Sequence, residues 1–578
     1  MRSTWCAGPR SACHGWSRVG DPSYNKRLAA NAAIVMGATI LSRATGFFRE
    51  MLIPAKFAVG YVADVYDVAF KFPDLMFNLL VGGAISAALV PALSGGLSRG
   101  EEAEKESWQA VSRFMNLMAA LSVAICILGS IFAEPLVVLL AQGWDPRVPE
   151  QAEMIRMAAR LMRTLFPSVA FLMLAGFANS VLYSYQRFAA QAFGPSLYNV
   201  LCILSIAFLS SPDKGEYYHV DRVVVGVMLS SFAYFVFQAA IAYKNLRGRY
   251  AARIGIRHKG FRRLFGIAVP SLVSSSALQL NTMVSASFSS RFESGSLTAM
   301  RLADRTWQMP LGIIAQSMGI ALLPNLSGSM ANADEGGYRR MLLQGLKSVL
   351  LLTVPIAAAC ASISGVIMRA LFMNSSKVTE GAITLTAGIL VCFAAALATQ
   401  SVNTILTRAF YACNETRTPM ATGLFAIGLN ILLSVLFYSF TPLGVRGMAV
   451  AYSLSSLANT AMLVALLGRR LPWLRLREGM GAFLLKCVAA SAAMAAVLAA
   501  ANRYLVPAQW VAGEFSFGLK LRQAAVLLAN VGVGAALYFC AALALRMPEA
   551  KRLVAGFADR ARSLLRFCVR TLRLPSKR

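Results

Sequence analysis

Leu41–Asn78 reads LSRATGFFREMLIPAKFAVGYVADVYDVAFKFPDLMFN, and in an otherwise apolar chain it carries Arg43, Arg49, Glu50, Lys56, Asp64, Asp67, Lys71 and Asp74. A charge near the centre of a bilayer costs several kcal/mol, so such residues face a bundle interior or an aqueous cavity. Taken together, these charges line a cavity inside a membrane-spanning bundle. Lys56, taken alone, reads as an outer-loop residue at a helix end that reaches toward the headgroups.

The surrounding chain supports a membrane reading. Its 578 residues are 57% hydrophobic and 14% charged, with a mean hydropathy of +0.59, against about 25% charged residues in a soluble protein. Fourteen apolar segments fall near 28–50, 62–94, 108–140, 154–185, 190–211, 222–243, 264–290, 296–328, 339–371, 380–411, 418–440, 444–468, 480–503 and 520–546. Each is long enough to cross a bilayer as a helix. The runs are continuous rather than alternating, which excludes a β-barrel.

The net charge of +30 does not point to nucleic acid, because the basic residues cluster in loops and tail rather than on one face. Residues 244–263 hold eight Lys and Arg without a single acid, residues 469–477 add four Arg, and a basic tail follows residue 546. All three follow even-numbered spans, so by the positive-inside rule both termini are cytoplasmic. Residues 548–574 alternate basic and apolar residues at helical spacing, which suits an amphipathic helix on the inner leaflet. Residues 1–27 lack an apolar h-region and read as a disordered cytoplasmic extension rather than a signal.

Cys126, Cys202, Cys360, Cys392, Cys487 and Cys540 sit inside apolar runs, at spacings that suggest neither zinc nor a disulfide framework. With three His in the whole chain, no histidine metal centre or cofactor is expected. A membrane enzyme would need a polar loop carrying clustered acids or a nucleophile. The longest internal polar loop is purely basic, so no enzymatic activity is expected.

An internal repeat organises the spans. Leu89-Val-Pro-Ala-Leu-Ser-Gly95 recurs as Leu322-Leu-Pro-Asn-Leu-Ser-Gly328, with Pro91 and Pro324 lying 233 residues apart. Asn179 to Pro195 recurs more loosely as Asn403 to Pro419. The fold expected is an all-α integral membrane protein of about 14 transmembrane helices. Two six-helix lobes, residues 28–243 and 264–468, form a parallel pseudo-repeat around a central cationic cavity, with the site between the halves. The basic loop 244–263 joins the lobes, 480–546 adds two further helices, and 547–578 is the tail.

Within the cavity, Asp64, Asp67, Lys71, Asp74 and Asn78 share one stripe of span 2, interrupted at Pro73, where a kink is expected. Arg43 and Glu50 share a face of span 1. Arg49 points about 120° away from Arg43, so the two line a wide cavity or converge only if the helix bends at Gly46. Span 8 supplies Arg301, Asp304 and Arg305, with Gln308, Pro310 and Gln316 following. Asp304 is placed to pair with Arg301. This much guanidinium suits an anionic, phosphate-bearing substrate, and an inside-negative potential favours outward movement of an anion by about 2.3 kcal/mol per charge per 100 mV. A drug–cation antiporter would want acids in their place. Span 11 has no acid, so no sodium site is readable there.

The elements Leu41-Ser-Arg-Ala-Thr-Gly-Phe-Phe-Arg-Glu50, Ala69-Phe-Lys-Phe-Pro73, Gly83-Ala84, Val90-Pro91 and Leu302-Ala-Asp-Arg305 resemble the MurJ/MviN family, the lipid II flippase branch of the multidrug/oligosaccharidyl-lipid/polysaccharide exporter superfamily. The resemblance runs from about Ala29 to Arg470. It implies an alternating-access flippase of the bacterial plasma membrane that carries the undecaprenyl-diphosphate-linked peptidoglycan precursor to the outer leaflet. Membrane lipids, and the cell-wall synthesis machinery, are the partners it admits. The family's arginines carry over at Arg43, Arg49 and Arg305, its acidic positions at Glu50, Asp64 and Asp304, and its two extra helices form a groove for a lipid tail. Two positions depart from the family pattern: Phe77 stands where a further cavity arginine is usual, and Gly82 where a Glu is. Arg301, where relatives often have an aromatic residue, is then a candidate to compensate. The neighbouring reading is an exporter of another polyprenyl-linked oligosaccharide, of O-antigen or capsule type.

Overall fold

The computed structural model describes residues 22–77, 85–185, 187–210, 216–252, 255, 258, 260–262, 264–266, 283–373, 378–413, 415–474, 480–504 and 516–555. Every regular element among them is a helix. Among the described residues ten helices are long and apolar enough to cross a membrane, and a shorter apolar helix spans Phe193–Leu209. These ten cover the expected spans 3, 4, 6 and 8 to 14. Span 7 lies largely outside the described residues, as do residues 1–21 and the tail beyond 555.

The first half comprises α1 (Pro22–Phe57), α2 (Tyr61–Phe77), α3 (Ser86–Arg99), α4 (Glu101–Ile131), the short α5 (Ala133–Leu140), α6 (Pro149–Ser184), α7 (Phe188–Leu209) and α8 (Glu216–Leu246). After α9 (residues 283–289) come α10 (Ser296–Leu311), a π-helical turn (Gly312–Gln316), α11 (Ser317–Ala331), α12 (Glu335–Ser362) and the short α13 (Ser364–Phe372). The chain continues through α14 (Glu380–Ala412), α15 (Arg417–Phe440), α16 (Val445–Arg470), α17 (Met480–Tyr504) and α18 (Phe517–Ala544). Helix starts in the second half are set by side chains that satisfy the orphan N–H groups of a first turn. Asp334 accepts from Gly337 before α12, Thr379 from Ala382 before α14, and Ser516 from Leu519 before α18.

The repeat seen in the sequence reappears in packing. In the first lobe α6 lies against α2, α4 and α8, while α7 lies against α8; in the second α14 lies against α10, α12 and α16, while α15 lies against α16. The Pro91 and Pro324 copies fall in α3 and α11. α17 packs on α12, and α18 on α13 and α17, outside the repeat. Between the lobes α1 touches α10 and α13, and α2 touches α10. The charged stretch is therefore the seam.

Lipid tails are as apolar as leucine, so helix association here relies on close packing at small residues. A Cβ added at Gly129 of α4 would meet the Phe166 ring of α6 at 2.2 Å, and Phe166 is wholly buried. Gly129→Ala should therefore lower stability by about 1–3 kcal/mol through overpacking. A fall in the unfolding temperature of the purified protein is the readout, and an unchanged value would show that the pair separates at no cost.

Candidate functional site

Three helices bring their charges together near the turn at residues 58–60. The Arg301 guanidinium of α10 reaches Glu50 of α1 through Nη1 at 2.5 Å and Asp67 of α2 through Nε at 3.1 Å. All three side chains are buried, Arg301 to 8% exposure. Each acid also has a cation on its own lobe: Arg49 Nη2 lies 3.2 Å from Glu50, and Lys71 Nζ 3.7 Å from Asp67, one helical turn away. The expected Arg301–Asp304 pair is not formed. Three residues apart on α10, the two are close enough to pair, but Arg301 is drawn across the seam to Glu50 and Asp67, and Asp304 accepts from the Trp307 indole at 3.1 Å and the Gln308 amide at 2.6 Å.

Asp64 is 3% exposed and acts as an N-cap supplied by a neighbouring helix. Its carboxylate accepts from the backbone N–H of Gly295 at 2.6 Å, the N–H of Thr298 at 2.8 Å and the Thr298 hydroxyl at 2.7 Å. Gly295, at φ 90°, makes the left-handed turn that starts α10. Its α-carbon comes so close to Val59 that a Cβ would sit 3.0 Å from the Val59 carbonyl. Around it, Gly143 N–H donates to the Ser290 hydroxyl at 3.1 Å, and Arg291 donates to Gln142 at 2.8 Å. The two lobes are closed on each other at this end.

Arg43 and Arg49 diverge, as their spacing on a straight α1 requires. Arg43 donates to Gln316 at 2.5 Å and lies over Gly312, where a Cβ would meet its guanidinium at 2.0 Å. That places it in the π-helical turn, a distortion that often marks functional sites. No bend at Gly46 brings the arginines together; Asn199 of α7 packs there instead, its amide donating to the Ser42 carbonyl at 3.2 Å. Arg49 stays with the first lobe, its side chain 24% exposed. Arg305, one turn beyond Arg301, is exposed, and among the described residues it forms no hydrogen bond or ion pair. Asp74 of α2 is exposed. Arg49, Lys71 and Arg305 are all near enough for their charges to act on it. Cations of both lobes thus lie within electrostatic reach of one carboxylate.

Phe77 joins a small apolar cluster with Leu172, Ala175, Tyr198 and Tyr234, so that position offers no cation; Asn78 and Gly82 lie outside the described residues. Sequence patterning flagged Gln316 but not Thr298 or Gly295. A cap supplied by a helix more than two hundred residues away leaves no local trace.

A family model described as lipid II flippase MurJ matches residues 53–520. The chain belongs to the lipid II flippase MurJ family. A probable lipid II flippase MurJ of Rhizobium tropici is 30% identical over 446 residues, 75% of this chain and 80% of the relative. The lipid II flippase MurJ of Burkholderia cenocepacia is 29% identical over 439 residues, covering 75% of this chain and 83% of its own. Among solved structures, a lipid II flippase MurJ in an inward closed conformation superposes with a TM-score of 0.71 at 23% identity, covering 89% of this chain and 99% of that one. An inward-facing multidrug resistance MATE transporter of the MOP superfamily follows the same fold with a TM-score of 0.58 at 16% identity, over 77% and 98% of the two chains. The MurJ match extends over more of this chain than the MATE match, 89% against 77%.

Proposed function

We propose that this chain is a lipid II flippase of the bacterial plasma membrane, moving the diphosphate-linked peptidoglycan precursor from the inner to the outer leaflet by alternating access. Family membership supports the substrate. The observation that carries the mechanism is Arg305, exposed and, among the described residues, without a hydrogen bond or ion pair, on the lobe opposite Arg49, with both close enough for their charges to act on Asp74. Guanidinium groups bind phosphate oxygens bidentately, and in a space screened from bulk water such contacts are strong. In this reading Arg49 and Arg305 take the diphosphate, Arg43 waits on Gln316 at the π-helical turn, and Glu50, Asp64 and Asp304 hold the walls in register.

The basic loops 244–263 and 469–477 support cytoplasmic termini, which makes the closed 58–60 end the outer end. The substrate then enters from the cytoplasmic side while Asp64 and Arg301 keep the outer side shut. Where a host's own flippase is depleted, expression of this chain should restore growth and outer-leaflet lipid II together. Growth arrest despite membrane-inserted protein would count against lipid II as the substrate, and rescue of O-antigen or capsule export in its place would reassign it to another polyprenyl-linked glycan.

A further inference from the structure

We propose that Glu50, Asp67 and Arg301, with Arg49 and Lys71 behind them, form a partner-exchange gate in which Arg301 gives up both acids when the lobes part, while each acid keeps a cation of its own lobe. In the closed arrangement Arg301 bridges Glu50 on α1 and Asp67 on α2. A buried ion pair that is simply pulled apart strands two charges and is a strong barrier. Here neither acid would be stranded. Glu50 already touches Arg49, and Asp67 lies within reach of Lys71, both on the acids' own lobe. Arg49 and Lys71 are themselves partly exposed, at 24% and 23%, so they can follow the acids without a new desolvation penalty.

The bridge is also unsaturated. Arg301 Nε and Nη2 and Asp67 Oδ2 are buried without a hydrogen-bond partner, so the Nε contact to Asp67 is an ion pair only, and Oδ2 is the oxygen that Lys71 approaches at 3.7 Å. The 3.7 Å gap is closed by a small side-chain movement, after which Asp67 is neutralised by its own helix. The cation released is Arg301, four residues from Arg305 and hence on the same face of α10. Opening thus converts a quenched guanidinium into a second one beside Arg305. The Asp64 latch has no such spare partner: every bond it makes crosses to the other lobe. The two contacts divide the work, Asp64 fixing the closed register and Arg301 letting it go.

The inference requires only that the lobes have two arrangements, so it rests on the transporter reading but not on the identity of the substrate. The test uses spin labels on Gly60→Cys and Glu293→Cys in a cysteine-free full-length chain, with the distance distribution read as a closed-to-open ratio. Arg301→Gln should lower that ratio about tenfold or more, the scale of losing a buried charge contact. Lys71→Met should raise it, because Asp67 would then be stranded on opening. A gate that is merely a structural ion pair predicts no response to Lys71→Met. An unchanged or lowered ratio in Lys71→Met, or an unchanged one in Arg301→Gln, overturns the proposal. Failure to rescue a flippase-depleted host with these distances behaving as stated would instead strike at the substrate assignment.

Discussion

Arg305→Ala is expected to abolish translocation while leaving the folded protein unchanged. Its side chain is exposed and, among the described residues, makes no bond that its loss would break, so stability has nothing to lose. A diphosphate held there does. Truncating one partner of a buried charge contact costs about 2–5 kcal/mol, a loss of about thirtyfold to a few thousandfold in occupancy of the loaded state. Arg305→Lys should fall between, since an ammonium keeps the charge but not the planar fork. Outer-leaflet lipid II in a flippase-depleted host, normalised to membrane-inserted protein, is the measurement. Equal levels for Arg305→Ala and the parent chain would remove this residue from the substrate path.

Asp64→Ala is the second large effect, and its sign is different. The substitution strands the N–H groups of Gly295 and Thr298 at the start of α10, and each buried, unsatisfied donor costs about 1–3 kcal/mol. The loss falls on the closed arrangement alone, because all of these bonds cross between lobes. The closed-to-open ratio read from labels at residues 60 and 293 should drop by at least about tenfold, and rescue of growth should fall with it. Asp64→Asn should recover part of the closure, since its carbonyl oxygen still accepts. A closed distribution unchanged in Asp64→Ala would show that the Arg301 bridge and the Gln142–Arg291 contact hold the outer end by themselves.

Much of this arrangement was legible before any coordinates. Continuous apolar runs broken by charged loops identify a helical bundle. The Pro91 and Pro324 repeat identifies two lobes, and the concentration of charge in Leu41–Asn78 identifies the seam. Helical geometry set Arg43 and Arg49 about 120° apart unless α1 bent at Gly46, and the two take different partners, Gln316 and Glu50. What the sequence concealed were pairings across the seam. Arg301 three residues before Asp304 suggests a local pair, yet the partners actually taken, Glu50 and Asp67, lie more than two hundred residues away. Asp64 on a polar stripe reads as a cavity residue, but its carboxylate is fully used as a cap for α10. Both are tertiary choices, set by which helix ends meet, and residue spacing within one helix carries no information about them. Phe77 shows the reverse case: the residue type alone said that no cation would be found there, and its apolar neighbours agree.

A cationic cavity between the two lobes is expected to carry an anionic lipid-linked headgroup across the membrane. That transport is tested most directly with the purified full-length chain in liposomes containing labelled lipid II, by following how fast lipid II in the inner leaflet becomes accessible outside. Protein-dependent exchange should be lost in the Arg49→Ala, Arg305→Ala double variant and retained in Gly129→Ala protein that stays folded. Exchange by the double variant at the parental rate would contradict it.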